Sequence, residues 1–170
     1  VAREMHVASP RAALLRKELG RIFGFPLYLF NCGIGGPLAV ILGVVVLVQG
    51  PGILNTLSAA YGLTDMGFLV PFVLIVLCFC AICTCTSAPS ISLEGPYLWI
   101  VRANPVRESD LFFAKVMANV LIGGVPLAVA SVLFVIALPM SAANAALVII
   151  LPLLAQTFMA FLGLCLNLFM

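Results

Sequence analysis

Between Arg21 and Glu94 the chain carries a single charged side chain, Asp65, and from Val116 to Met170 it carries none. A bilayer core is crossed by about 20 apolar residues in a helix, and the uncharged stretches are long enough to do so several times. A soluble domain is excluded on the same ground. Only 8% of the 170 residues are charged and 64% are hydrophobic, with a mean hydropathy of +1.28, far too little polar surface to face water.

The apolar runs predict four membrane-spanning helices, at residues 27–48, 67–87, 116–138 and 145–169. The runs are continuously apolar rather than alternating at period two, which favours an all-α polytopic helical bundle over a β-barrel. The first run is longer than the apolar core of a signal peptide and has no small-residue cleavage site, so it is read as retained. Starting at Val1 and stopping at Met170 within an apolar run, the chain reads as one transmembrane domain from a larger membrane protein.

Lysine and arginine set orientation. Five of the eight basic residues precede the first span and three lie in 87–115, while 49–66 and 139–144 have none. The amino terminus and the 88–115 loop are therefore expected on the cytoplasmic side, with 49–66 and 139–144 outside.

Chemistry-bearing residues are few. Cys78, Cys80, Cys83 and Cys85 fall in one span, where a helix divides the thiols between faces and cannot close a tetrahedron around zinc. Packing is the simpler reading, with palmitoylation of Cys83 or Cys85 a weaker alternative. His6 is the only histidine and lies in a polar tail, with no partners to orient an imidazole for catalysis. No phosphate-binding Gly-x-x-x-x-Gly-Lys-Ser/Thr loop occurs; Gly33-Ile34-Gly35-Gly36 and Gly123-Gly124 lie inside spans, where small residues mean close helix packing or a bend.

The four spans hold no ionisable carboxylate, imidazole or ammonium, unlike ion-coupled carriers. Asp65 reads as a loop or cap residue, and polar groups in the spans reduce to Asn31, Asn119, Ser131, Gln156, Thr157 and Asn167. A transporter of this kind draws its energy elsewhere, most simply from a separate ATPase.

Two polar segments carry the most information. In 11–25, Leu14, Leu15, Leu19, Ile22 and Phe23 recur at helical spacing against Arg16, Lys17 and Arg21, which predicts an amphipathic helix lying on the inner membrane surface. Pro26 then turns the chain into the first span. In 88–115, Tyr97, Leu98, Trp99, Ile100 and Val101 are too apolar for a solvated loop and too few to span, so a short helix is predicted between Pro96 and Ala103, with Pro96 at its first turn and Pro105 terminating it. A second helix starts near Ser109 as N-cap, with Glu108 and Asp110 at its positive end, and meets the membrane at Lys115.

The run Ile91-Ser92-Leu93-Glu94-Gly95, followed by Leu98-Trp99-Ile100, Asn104-Pro105-Val106 and Lys115, resembles the loop after the second span in bacterial ABC exporter permeases of the type-2 class. Arg16-Lys17-Glu18, Phe25-Pro26-Leu27-Tyr28 and Asn31-x-Gly33 resemble the start of that group's first span. Pro96 departs from the pattern, standing where a lysine is expected. The resemblance implies an interfacial elbow helix bearing Arg16, Lys17 and Arg21, and a coupling helix through which Glu94, Tyr97, Leu98, Trp99, Ile100 and Arg102 meet a nucleotide-binding ATPase subunit. It further implies a second permease copy or half, no cofactor in this chain since ATP and Mg sit on the ATPase, and residence in the bacterial cytoplasmic membrane. Apart from the resemblance, an integral-membrane lipid-modifying enzyme using Glu94, Glu108 and Asp110, or a structural or channel-like subunit, stays open.

Overall fold

The computed structural model describes residues 9–61, 69–90 and 107–169, which are helical with short irregular joints and, among them, no strand. The helices are α1 (Pro10–Gly24), α2 (Pro26–Gly33), α3 (Gly35–Tyr61), α4 (Leu69–Cys83), α5 (Glu108–Asn119), α6 (Val125–Ala137) and α7 (Ala142–Phe169), with a π-helical turn, Val120–Gly124, joining α5 to α6. Three stretches are long and apolar enough to cross a membrane: Gly35–Gly52, Glu108–Ala137 and Ala142–Asn167. Helix α4 is apolar throughout its described part, 15 residues from Leu69 to Cys83.

Prolines set the joints. Pro37 has no N–H to offer the carbonyl of Gly33, and the chain shows a one-residue break at Ile34 between α2 and α3. Pro126 likewise cannot pair with Ile122, and the π-turn ends two residues before it. A widened turn relieves the clash between a proline ring and the carbonyl four residues back. Pro51 and Pro152 sit inside α3 and α7 without ending them.

Helix α3 runs alongside α6 in the same direction. A Cβ built on Gly36 would meet Pro126 at 3.1 Å, one on Gly43 would meet Leu133 at 3.1 Å, and one on Gly50 would face the Ala137 carbonyl at 3.7 Å. The seven-residue spacing keeps these glycines on one stripe, so the two backbones approach closely over four turns. The core beside this seam comprises Ala39, Val73, Leu77, Leu127, Ala130, Phe134 and Val148 among others. Outward faces of α3, α4, α6 and α7 expose Ile41, Phe72, Ile136 and Phe158, as helices bathed in lipid do.

Three expectations change. Residues 49–61, read as outer loop, continue α3 as helix, with Thr56 Oγ1 donating to the Gly52 carbonyl (2.9 Å). The second span, placed at 67–87, is helical only to Cys83 in its described part, and 84–90 form an irregular buried segment. The 88–115 loop is helical from Glu108 onward; its N-cap is Arg107, not Ser109, and no side chain caps it, while Glu108 and Asp110 do occupy the first turn.

Candidate functional site

The segment 84–90 turns the bundle's packing into a site. Its composition, Thr84-Cys85-Thr86-Ser87-Ala88-Pro89-Ser90, is rich in hydroxyls that compete with the helix for backbone partners, and α4 ends where it begins. Irregular backbone at membrane depth is tolerated only when protein satisfies its polar groups. Thr84, Thr86, Ser87 and Ser90 are all buried, and the main-chain carbonyl of each accepts a bond.

Gln156 Nε2 donates to the Thr84 carbonyl at 3.1 Å, the Tyr28 hydroxyl donates to the Thr86 carbonyl, and Ser90 Oγ donates to the Ser87 carbonyl at 2.8 Å. The Ser90 carbonyl takes two cationic donors, Arg21 at 3.1 Å and Lys115 Nζ at 3.3 Å. Side-chain bonds add a second layer. Asn119 Oδ1 accepts from the Thr86 N–H (3.3 Å), Thr86 Oγ1 (3.1 Å) and Gln156 Nε2 (3.4 Å), while Asn119 Nδ2 donates to Ser87 Oγ (3.2 Å). Ser87 Oγ in turn donates to the Ala160 carbonyl at 2.8 Å. Gln156 lies 14 residues after the start of α7, about 21 Å along its axis, so this polar cluster stands at mid-helix.

Three glycines admit the segment and its partners. A Cβ on Gly35 would lie 2.0 Å from the Cys80 carbonyl oxygen; one on Gly123, in the π-turn, would lie 2.4 Å from Gln156 Nε2; one on Gly163 would lie 2.6 Å from Cys85 Sγ. Cys85 Sγ also approaches the Met159 carbonyl at 3.7 Å. The thiol is thus packed beside a helix backbone, with Cys80 buried and Cys78 and Cys83 half-buried along α4.

At the Ser90 end of this cluster lies an ion pair. Lys115 Nζ is 3.1 Å from Glu18 Oε1, and Glu18 Oε2 accepts from Arg21 at 2.6 Å. The side chains of Lys115 and Glu18 are 0% and 3% exposed. Removing two charges from water is costly and is offset only when geometry and further hydrogen bonds are good, as here with the shared Ser90 carbonyl. Toward the start of α5, Arg11 pairs with Asp110 at 2.6 Å and stands over the Phe113 ring.

Helix α1 therefore differs from a helix lying free on a surface. Glu18 and Ile22 are buried and Phe23 is exposed, because the face packed on α5 is set by the ion pair and Ile22 together. Arg16 and Lys17 are exposed and Arg21 is half-buried in the cluster. Glu94, Tyr97, Leu98, Trp99, Ile100 and Arg102 lie outside the described residues. Of the polar span residues, Asn119 and Gln156 meet, Thr157 bonds its own helix at Leu153, Ser131 is buried with no hydroxyl partner among the described residues, and Asn31 is exposed. Sequence reading missed the meeting of Glu18 with Lys115 and the role of 84–90; the hydroxyl-rich run ending in Pro89-Ser90 was the available signal for the second.

Compared with known families, curated proteins and solved structures, the chain matches none.

Proposed function

We propose that this chain is the membrane-spanning permease part of an ATP-driven exporter of the type-2 ABC class, with four spans, its amino terminus cytoplasmic, and energy from a separate nucleotide-binding ATPase. Transport here is movement of an unidentified substrate between two permease halves. The chain itself supplies no nucleotide site.

One observation supports the reading: the described residues on either side of 91–106, where the coupling helix is expected, are tied to α1. On one side the Ser90 carbonyl is held by Arg21 and Lys115. On the other, Asp110, in the first turn of α5, is held by Arg11. A push on 91–106 therefore reaches α1, α5 and the buried segment 84–90 together. The irregular break at 84–90 and the π-turn provide joints at which spans can tilt.

The test is affinity purification of the tagged protein from its native membranes, in wild-type form and as Trp99→Ala. A P-loop ATPase recovered with the wild type and reduced at least about tenfold with the variant, at equal membrane insertion, is the expected result; losing an anchor of about 2 kcal/mol weakens binding about thirtyfold. Absence of any ATPase from the wild-type complex would overturn the proposal.

A further inference from the structure

We infer that the groove between the α1–α2 elbow and the π-turn holds an acyl chain of an anionic phospholipid, whose phosphate is met by Arg16. The inference is independent of any ATPase and needs only that the apolar helices lie in a membrane.

The groove has a geometric origin. Glu18 touches Lys115, and Gly33 lies against Ile122. Between these two contacts the α1–α2 chain covers 15 residues and the facing α5–π-turn chain covers seven, about 22 Å of helix against about 10 Å. The longer path must bow outward, and the Phe25–Pro26 joint is where it bends. One flank of the bow is pinned to 84–90 by Arg21 and Tyr28. The other flank is open and encloses about 700 Å³, with Phe23, Leu29 and Phe30 on the bow and Leu121, Ile122 and Val125 opposite. Phe23, Phe30 and Val125 are more than half exposed, so nothing within the described residues fills the space.

Charge selects the occupant. Arg16 precedes Leu19 and Phe23, two groove residues, by three and seven positions, which places it on their stripe of α1. It is exposed, and among the described residues no carboxylate pairs with it. A second copy of this chain would offer uncharged spans, which match the apolar walls and leave Arg16 unmatched. A phospholipid supplies both parts, a chain for the walls and a phosphate for the guanidinium. A headgroup with net negative charge gains over a zwitterionic one, whose ammonium offsets the phosphate.

Native mass spectrometry of the purified chain with dioleoyl-phosphatidylglycerol or dioleoyl-phosphatidylcholine tests this. The wild type should retain one phosphatidylglycerol with about fivefold preference, the order expected of one basic side chain at a membrane surface. Arg16→Gln should bring the ratio close to one, and Val125→Trp, which fills the groove, should lower retention of both lipids. Val129→Trp, one turn further along α6 and outside the groove, should match the wild type and reports on any general effect of a new tryptophan. Equal retention of the two lipids by the wild type, unchanged retention in Val125→Trp, or a lipid-free dimer would overturn the inference.

Discussion

Lys115 Nζ lies 3.1 Å from Glu18 Oε1 although 97 residues separate them along the chain. The pair joins α1 to α5, where the Glu108–Ala137 apolar stretch begins, and both cations near Glu18 also hold the Ser90 carbonyl. Charge, backbone and helix packing therefore depend on one another at this point.

Breaking the pair from one side should be costly. Glu18→Gln removes the carboxylate that pairs with the buried Lys115 and with Arg21, and a loss of about 3–5 kcal/mol is expected. The double variant Glu18→Leu with Lys115→Met should lose less, since the fully buried ammonium goes with the carboxylate, while Arg21, which also loses Glu18, keeps the Ser90 carbonyl and 17% exposure of its side chain. Unfolding in detergent micelles, followed by helix signal against denaturant, checks both; equal losses in the single and double variants would show that the charges are not coupled.

Asn119 should matter far more than Asn31. Asn119→Leu strips the acceptor from the Thr86 N–H, Thr86 Oγ1 and Gln156 Nε2, and a loss of about 1–3 kcal/mol follows from leaving buried donors unpaired. Asn31→Leu, at an exposed position, should change stability by less than about 0.5 kcal/mol. The same unfolding assay ranks them.

Glycines divide into two kinds. Gly35→Val forces a Cβ against the Cys80 backbone carbonyl, which cannot yield as a flexible side chain would, and a cost of about 3 kcal/mol is expected. Gly20→Ala, inside α1 with nothing within 4 Å of the new carbon, should stabilise by about 0.5–1 kcal/mol through helix propensity. Opposite signs in thermal unfolding are the outcome sought.

Orientation is open to direct labelling. In a background with the six native cysteines replaced by serine or alanine, a cysteine at Asn55 should react with a membrane-impermeant maleimide added to intact cells, and one at Arg16 should react only after permeabilisation. Both positions are exposed on helices, so a failure to react reports sidedness. The reverse pattern would invert the topology drawn from the basic residues.

Much of the bundle is legible in the order of residues alone. The apolar run after Lys115 is enough to demand membrane helices, because no water-facing surface can be made from it. The helix in 11–25 is legible from the spacing of Leu15, Leu19 and Ile22, and the acidic start of α5 from Glu108 and Asp110. Hydropathy is less informative at the ends of helices. It treats Thr84, Thr86 and Ser87 as mildly polar members of a span, and only their burial against Asn119, Gln156 and Ala160 shows that the chain has left the helix there.

By itself, then, the sequence determined that this chain is helical and membrane-embedded, since those properties follow from composition and period along a single line of residues. The tertiary structure decided which polar groups meet. Glu18 finds Lys115 where α1 packs on α5, and Asn119 finds Thr86 and Gln156 where separate elements approach closely at Gly35, Gly123 and Gly163. The pairing of a buried charge or amide is a property of the space between helices, and no local pattern encodes the distance across it.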